Sequence, residues 1–421
     1  MPLKFSRFGT RFTRPTGALE LMDDLGSALT SDDRQLMLGG GNPAKIPEIQ
    51  ARLRERLEQI AATPRDFDRM FADYAHPKGE LTMRRSLAGL LRREYGWPLT
   101  EDNVALTAGS QAAFFMLFNL FAGEHPDGVK RRILLPVTPE YVGYTDVGLT
   151  EGLFRSLRPT IEELEPPFFK YHVDLAALHV DDSIAAICVS RPTNPTGNVL
   201  TDAEMEALDA LARARGVPLI VDNAYGMPFP NIVFRDATPQ WNDNTIFCMS
   251  LSKLGLPGVR TGIVIASEDV VDALTRMTAV LSLAVGSVGP VLVQPLIESG
   301  EIIALSRRFI TPYYRAKVAL ACEALQRELA GVPHKIHSPE GAIFLWLWLP
   351  GLPISSAELY GRLKRAGVFV LSGHYFFPGL EEPWQHRNEC LRISFAQEED
   401  VVREGIAIIG EEVRKAFAAA T

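Results

Sequence analysis

Short apolar runs rich in β-branched residues recur through the middle of the chain, each followed by a stretch with helical spacing. Arg132–Leu135, Ile184–Ser190, Pro218–Val221, Thr245–Met249 and Gly262–Ala266 are nearly continuous in apolar residues, the pattern of strands buried on both faces. Their alternation with helical stretches predicts βαβ units, hence an α/β fold with a mostly parallel central sheet. Between the second and third runs, Thr201-Asp-Ala-Glu204 forms a capping box. Met205, Leu208, Leu211 and Ala212 then share one helical face, and Gly216 marks the stop. Beyond about residue 290 the pattern changes to an amphipathic stretch around Thr311–Leu329, an apolar run Ile343–Leu349 and a final helical segment near Glu398–Phe417. This predicts a second, smaller α+β unit.

Composition narrows the function classes. A chain of 421 residues with 47% hydrophobic and 22% charged residues buries a sizeable core and is not disordered. Its formal charge of −8 repels nucleic acid and anionic membranes over most of the surface, so an anionic ligand requires a local basic site. The most apolar stretches, Ala112–Phe118 and Ala342–Pro350, fall short of the roughly 18 residues of a membrane span. The start lacks the apolar segment and cleavage site of a secretory signal. Cys188, Cys248, Cys322 and Cys390 lack CxxC spacing, as expected for reduced thiols in a cytoplasmic protein. The eight histidines show no ligand spacing, and no metal is expected.

In a parallel α/β sheet, ligands bind beyond the carboxyl ends of the strands, where loops and helix N-termini converge. Three of the predicted strands end in reactive groups: Ser190-Arg-Pro-Thr-Asn194-Pro-Thr-Gly197, Asp222-Asn-Ala-Tyr225, and Ser250-Leu-Ser252-Lys253 with Arg260 seven residues on. A lysine, a carboxylate and a tyrosine at one sheet edge suit Schiff-base chemistry on a pyridine cofactor. Thr107-Ala-Gly109-Ser110-Gln111 reads as a glycine-led helix start able to hold a phosphate, with Ser250, Ser252 and Arg260 as further donors.

These residues carry a family resemblance. Ser250-Leu-Ser-Lys253-Leu-Gly-Leu-Pro-Gly-Val-Arg260 is similar to the S-x-S-K-x-x-x-x-x-x-R signature of the class I/II aminotransferases, and Asn194-Pro-Thr-Gly197 and Asp222-x-x-Tyr225 match two further motifs in order and spacing. The resemblance runs from Gly40 to the C-terminal helix. It implies the type I pyridoxal-phosphate-dependent transferase fold, with a large domain over residues 46–295 and a small domain from 1–45 and 296–421. The cofactor is then pyridoxal 5′-phosphate. Lys253 would carry its aldehyde as an imine and shuttle the substrate proton, Asp222 would pair with the ring nitrogen, and Asn194 and Tyr225 would bind the ring oxygen. Tyr141 would stack on the ring, and Ser110, Gln111, Ser250, Ser252 and Arg260 would hold the phosphate. Tyr74 resembles the tyrosine that reaches the phosphate of a neighbouring subunit, implying a homodimer with shared sites. Arg392, in Leu391-Arg-Ile-Ser-Phe395, resembles the arginine that binds the substrate carboxylate, with Gly41 and Asn194 beside it. Asn42, preceded by Gly39-Gly40-Gly41, departs from the family's G-x-P turn.

Longer stretches, Leu38–Pro43, Asp222–Pro230, Pro339–Trp348 and Gly373–Gly379, resemble one branch of that family. This implies ping-pong amino transfer between L-valine and pyruvate, giving 3-methyl-2-oxobutanoate and L-alanine, with Tyr375-Phe-Phe377 as a candidate pocket wall. Transfer from another aliphatic amino acid, or C–S bond cleavage on the same scaffold, uses the same residues. A DNA-binding regulator requires a helix-turn-helix segment that the sequence lacks.

Overall fold

The computed structural model describes residues 3–14, 16, 19, 22, 26 and 35–419. Among them the strands in chain order are β1 (Leu36–Met37), β2 (Val104–Thr107), β3 (Gly123–Glu124), β4 (Lys130–Leu135), β5 (Phe154–Ser156), β6 (Thr160–Glu163), β7 (Phe168–His172), β8 (Ile184–Ser190), β9 (Leu219–Asp222), β10 (Thr245–Ser250), β11 (Gly262–Ile265), β12 (Lys335–His337), β13 (Phe344–Trp348), β14 (Val368–Phe369), β15 (Leu371–Ser372) and β16 (Cys390–Ser394). All five predicted central strands are present, within two residues at each end.

An eight-stranded sheet has the order β2-β11-β10-β9-β8-β4-β3, with β5 also on β4. The β10/β9, β9/β8, β8/β4 and β4/β5 pairs are parallel, whereas β11 runs against both its neighbours. Successive side chains of a strand point to opposite faces. Accordingly Ile187, Val189, Val221, Phe247 and Met249 enter one core cluster while Ala186, Cys188, Ile220, Ile246 and Cys248 enter another. Helices cover both faces. Ser110–Phe121 contributes Phe114, Leu117 and Phe118 to the second cluster, and Asp202–Ala214 contributes Met205, Leu208 and Ala212 to the first. The latter helix starts at the Thr201/Glu204 capping box, and Gly216 follows its end at φ +64°.

A second, six-stranded sheet has the order β15-β16-β13-β12-β7-β6, packed with the helices Thr311–Glu328 and Glu399–Ala418. Two of its strands, β6 and β7, come from residues 160–172, inside the 46–295 stretch expected to form the large domain. The segment Thr160-Ile-Glu-Glu163 carries one apolar residue and lies mostly exposed, so its sequence bears no strand signature. The expected small-domain stretch 1–45 is likewise divided. β1 pairs with β14, but the helix Arg7–Phe12 packs on the large sheet's side, where Arg11 donates to the carbonyls of Gly148 (2.7 Å) and Thr150 (2.8 Å) and Phe12 meets Phe115 edge-on. Much of the connection between them lies outside the described residues. Among those described, no single helix is long and apolar enough to cross a membrane.

Strand register sets the site. Ser190 and Cys248 flank Asp222 across β8, β9 and β10, and Ser250 lies level with Gly262 and Thr107 across β10, β11 and β2. The reactive groups therefore emerge along one edge of one sheet.

Candidate active site

A cavity of about 130 Å³ opens at that edge, lined by ten of the expected residues: Ser110, Gln111, Tyr141, Asn194, Asp222, Tyr225, Ser250, Ser252, Lys253 and Arg260. Lys253 sits in the 3₁₀ turn Ser252–Leu254 that follows β10. Its Nζ donates to the Gly41 carbonyl (2.6 Å) and lies 5.2 Å from the centre of the Tyr225 ring. Burial lowers its pKa to about 8; Arg392 and Arg260 push the same way and Asp222 opposes them. A lysine held so is partly a free amine near neutral pH, the form that attacks an aldehyde.

Asp222, the last residue of β9, is 8% exposed. It accepts from the Tyr144 hydroxyl (2.8 Å) and the Ala224 N–H (3.0 Å). Burial raises its pKa, and those two donors and Lys253 work against that rise. Its carboxylate is thus preorganised for a cation lying above it. Burial also raises the Tyr225 hydroxyl well above its usual pKa, keeping it a donor.

The anion end is built from backbone as much as side chains. Gly109, at φ +87°, turns the chain into the helix that begins at Ser110. A Cβ there would lie 2.2 Å from Arg260 Nη2, so the guanidinium rests directly against this backbone. The Arg260 Nη1 reaches the Pro257 carbonyl (3.2 Å) and Ser252 Oγ (3.4 Å). Helix N-terminal N–H groups, two serine hydroxyls and an arginine are donors that could together hold a phosphate.

Arg392, on β16 and 1% exposed, lies behind Asn194 rather than in the cavity lining itself. Its Nη1 donates to Asn194 Oδ1 (2.8 Å) and its Nη2 to the Gly39 carbonyl (2.5 Å), while its buried Nε has no partner. Phe344 and Phe376 cover it, with ring centres 4.0 and 5.2 Å from Cζ. Burial pulls its pKa down to about 10, partly offset by Tyr225 and Tyr141. A buried guanidinium with no carboxylate partner favours an incoming anion. The glycine run that departs from the family turn now has a use: a Cβ on Gly39 would lie 2.8 Å from the Val370 carbonyl oxygen, and the Gly39 and Gly41 carbonyls orient Arg392 and Lys253.

The family model for "Aminotransferase class I and II" matches residues 49–409. The chain belongs to the class I and II aminotransferases. This aminotransferase is 48% identical, over 99% of both chains, to the valine–pyruvate aminotransferase of Escherichia coli. It superposes on the valine–pyruvate aminotransferase structure from Salmonella typhimurium with a TM-score of 0.87 at 45% identity, covering 95% of this chain and 99% of that one. An aspartate aminotransferase structure from Thermus thermophilus shares the fold at TM-score 0.78 and 20% identity, covering 98% and 100% of the two chains. Like other fold type I aminotransferases, the enzyme uses pyridoxal 5′-phosphate. The residues present fit that cofactor: a phosphate cradle at one end, a carboxylate on the floor, a depressed lysine, and the unpartnered Gln111 Oε1 on the wall.

Tyr74 is 86% exposed and does not line the cavity of this chain. Residues the motifs did not single out also matter in this aminotransferase. Tyr144 binds Asp222, and the only signal for it is its place three residues after Tyr141. Lys170, on β7, holds the Asn194 turn from the second sheet: its Nζ donates to Asn198 Oδ1 (2.8 Å) and the Val199 carbonyl (3.1 Å) and pairs with Glu340. No local pattern marks a lysine in a short apolar strand as buried.

Proposed function

We propose that this aminotransferase moves an amino group between L-valine and pyruvate, giving 3-methyl-2-oxobutanoate and L-alanine. The observation that carries this reading is Arg392, a buried cation pinned by Asn194 and Gly39 and covered by Phe344 and Phe376. Such a group takes one α-carboxylate in apolar surroundings, as valine and alanine both require. The likeness to the valine–pyruvate enzymes supports the same choice.

When bound, pyridoxal phosphate supplies an aldehyde for the amino group and a ring that accepts the electrons of the broken Cα–H bond. Ser110, Gln111, Ser250, Ser252 and Arg260 hold its phosphate, Tyr141 covers its ring, Asp222 keeps the ring nitrogen protonated, and Asn194 and Tyr225 bind the ring oxygen. Lys253 would hold the aldehyde, and its free amine would carry a proton between the substrate Cα and the cofactor's aldehyde carbon. Arg392, with Gly41 and Asn194 beside it, aims that Cα–H bond. One pocket serves both substrates in turn, which is ping-pong kinetics.

The functional unit is a homodimer in which Tyr74 reaches the partner's phosphate. Supporting this, an apolar cavity of about 620 Å³ adjoins Gln111 and Arg260, lined in part by Phe12, Phe115, Leu281 and Val285, with Val280 and Leu283 exposed nearby. Sedimentation is expected to give twice the chain mass. Four buried, unbridged cysteines favour a cytoplasmic location.

The test is a half-reaction. L-Valine added to the holoenzyme is expected to bleach the cofactor's visible band, and pyruvate to restore it as L-alanine appears. Release of pyruvate and ammonia from a cystathionine-like substrate without any acceptor would replace this reading with C–S cleavage. Arg392→Lys keeps the charge but loses the fork, and kcat/KM for valine and pyruvate should both fall by roughly 30-fold, about 2 kcal/mol.

A further inference from the structure

Asn194 stands between the cavity and Arg392. Its Oδ1 accepts from Arg392 Nη1 (2.8 Å), which leaves its amide N–H₂ as the donor for the cofactor's ring oxygen. The place of Asn194 therefore governs the arginine that takes the substrate carboxylate. β8 delivers the near side of its turn, where the Thr193 hydroxyl donates to the Ser190 carbonyl (2.9 Å). The Thr193 N–H donates across the turn to the Asn198 carbonyl (2.8 Å), so the position of Asn198 sets the turn's width.

The far side is gripped from the second sheet. Lys170, 3% exposed on β7, has three N–H donors and three acceptors: Asn198 Oδ1 (2.8 Å), the Val199 carbonyl (3.1 Å) and the Glu340 carboxylate. Asn198 Nδ2 donates to the Tyr171 carbonyl (3.0 Å), and the Val199 N–H to Glu340 Oε2 (3.0 Å). Arg235 takes the other oxygen of Glu340, and the Phe234 N–H donates to the Glu340 carbonyl (2.7 Å). The backbone beside Glu340 also rests on the turn. A Cβ on Gly197 would lie 2.6 Å from the Gly341 carbonyl oxygen, and a Cβ on Gly341 would lie 2.5 Å from Pro192 Cγ.

Lys170 on β7 and Arg392 on β16 belong to the same sheet, which thus meets the turn at two points. A buried ion pair adds little net stability, because desolvation offsets the attraction. This one supplies geometry instead. We infer that Lys170 and Glu340 are positioning residues for substrate recognition: they clamp the Asn194 turn to the second sheet and so hold Asn194 where it aligns Arg392 for the substrate carboxylate. The inference rests on the reading of Arg392 as the carboxylate site. Neither Lys170 nor Glu340 lines the cavity, so their effect on substrate passes through the turn. Without the clamp, Asn198 and Val199 lose their partners, the turn widens, and Arg392 Nη1 loses its acceptor.

The test is the dissociation constant of the holoenzyme for 3-methylbutanoate, which is valine without its amine and does not react, measured by calorimetry beside the melting temperature. Lys170→Met is expected to weaken binding about tenfold, the size of one hydrogen bond to a charged group, and to raise KM about tenfold for valine and pyruvate alike. It should also lower the melting temperature, because the Glu340 carboxylate loses its buried cation. Lys170→Met/Glu340→Gln removes both charges, so the melting temperature should return toward wild type while the affinity stays low; this variant decides the matter if Lys170→Met does not fold. Unchanged affinity in Lys170→Met would overturn the inference. So would an affinity that recovers together with the melting temperature in the double variant, which would leave the pair a structural role only. Arg392→Lys separates the two readings, since it should bind the analogue at least as weakly as Lys170→Met does. If wild type binds no more tightly than Arg392→Lys, Arg392 is not the carboxylate site, and that reading and the clamp fall together.

Discussion

Lys253→Met should leave the protein folded and lower kcat for amino transfer by about 10⁴-fold. The side chain keeps its length and loses the amine that lies 2.6 Å from the Gly41 carbonyl and over the Tyr225 ring. The same substitution should also change stability in a pH-dependent way. A lysine with a folded pKa near 8, against 10.5 in the unfolded chain, costs the cofactor-free fold about 3 kcal/mol below pH 8, because the buried state must carry the charge. As pH rises from 8 to 10.5 the folded state gives up its proton first, so wild type gains on Lys253→Met across that window. Denaturant unfolding at pH 7 and pH 10 measures the difference, and equal differences would show that the lysine is not held as the geometry implies. Buried, reactive lysines are retained at a cost in stability.

The second large effect is expected at Asp222. Asp222→Asn keeps an oxygen for the Ala224 N–H and removes the charge, which leaves the ring nitrogen's proton without a counter-ion in a buried site. Breaking a buried pair from one side costs about 3–5 kcal/mol, so kcat/KM should fall by roughly 10²–10⁴-fold in both half-reactions. Because Asp222 meets neither substrate carboxylate, the loss should be similar for valine and pyruvate. A variant that loses activity toward only one of them would place Asp222 in substrate recognition instead.

The sequence was most legible where backbone chemistry and side-chain chemistry coincide. β8, β9 and β10 are apolar throughout and end in Ser190, Asp222 and Ser250, so the run that predicts the strand also predicts where its reactive end points. Gly109 was readable as the start of a helix, where the structure has φ at +87°. Contacts between distant segments were not. Nothing local ties Glu140 to Ser190, Lys170 to Glu340, or Arg11 to the Gly148 carbonyl. β6 and β7 were missed for the same reason: Thr160-Ile-Glu-Glu163 becomes a strand because β7 offers it an edge, and β7 is placed by β12, encoded far downstream.

That last arrangement bears on how the chain is made. When β7 emerges from the ribosome with Phe169 and Tyr171, its eventual neighbour β12 has not been synthesised, nor have β13 and β16 beyond it. The β6–β7 hairpin therefore waits as an open edge with two large aromatics uncovered, although every strand of the larger sheet, from β2 to β11, is encoded before β12. A chain cut between about residues 270 and 335 has every strand of the larger sheet and lacks β12, so truncated expression there is expected to give aggregation through the uncovered hairpin.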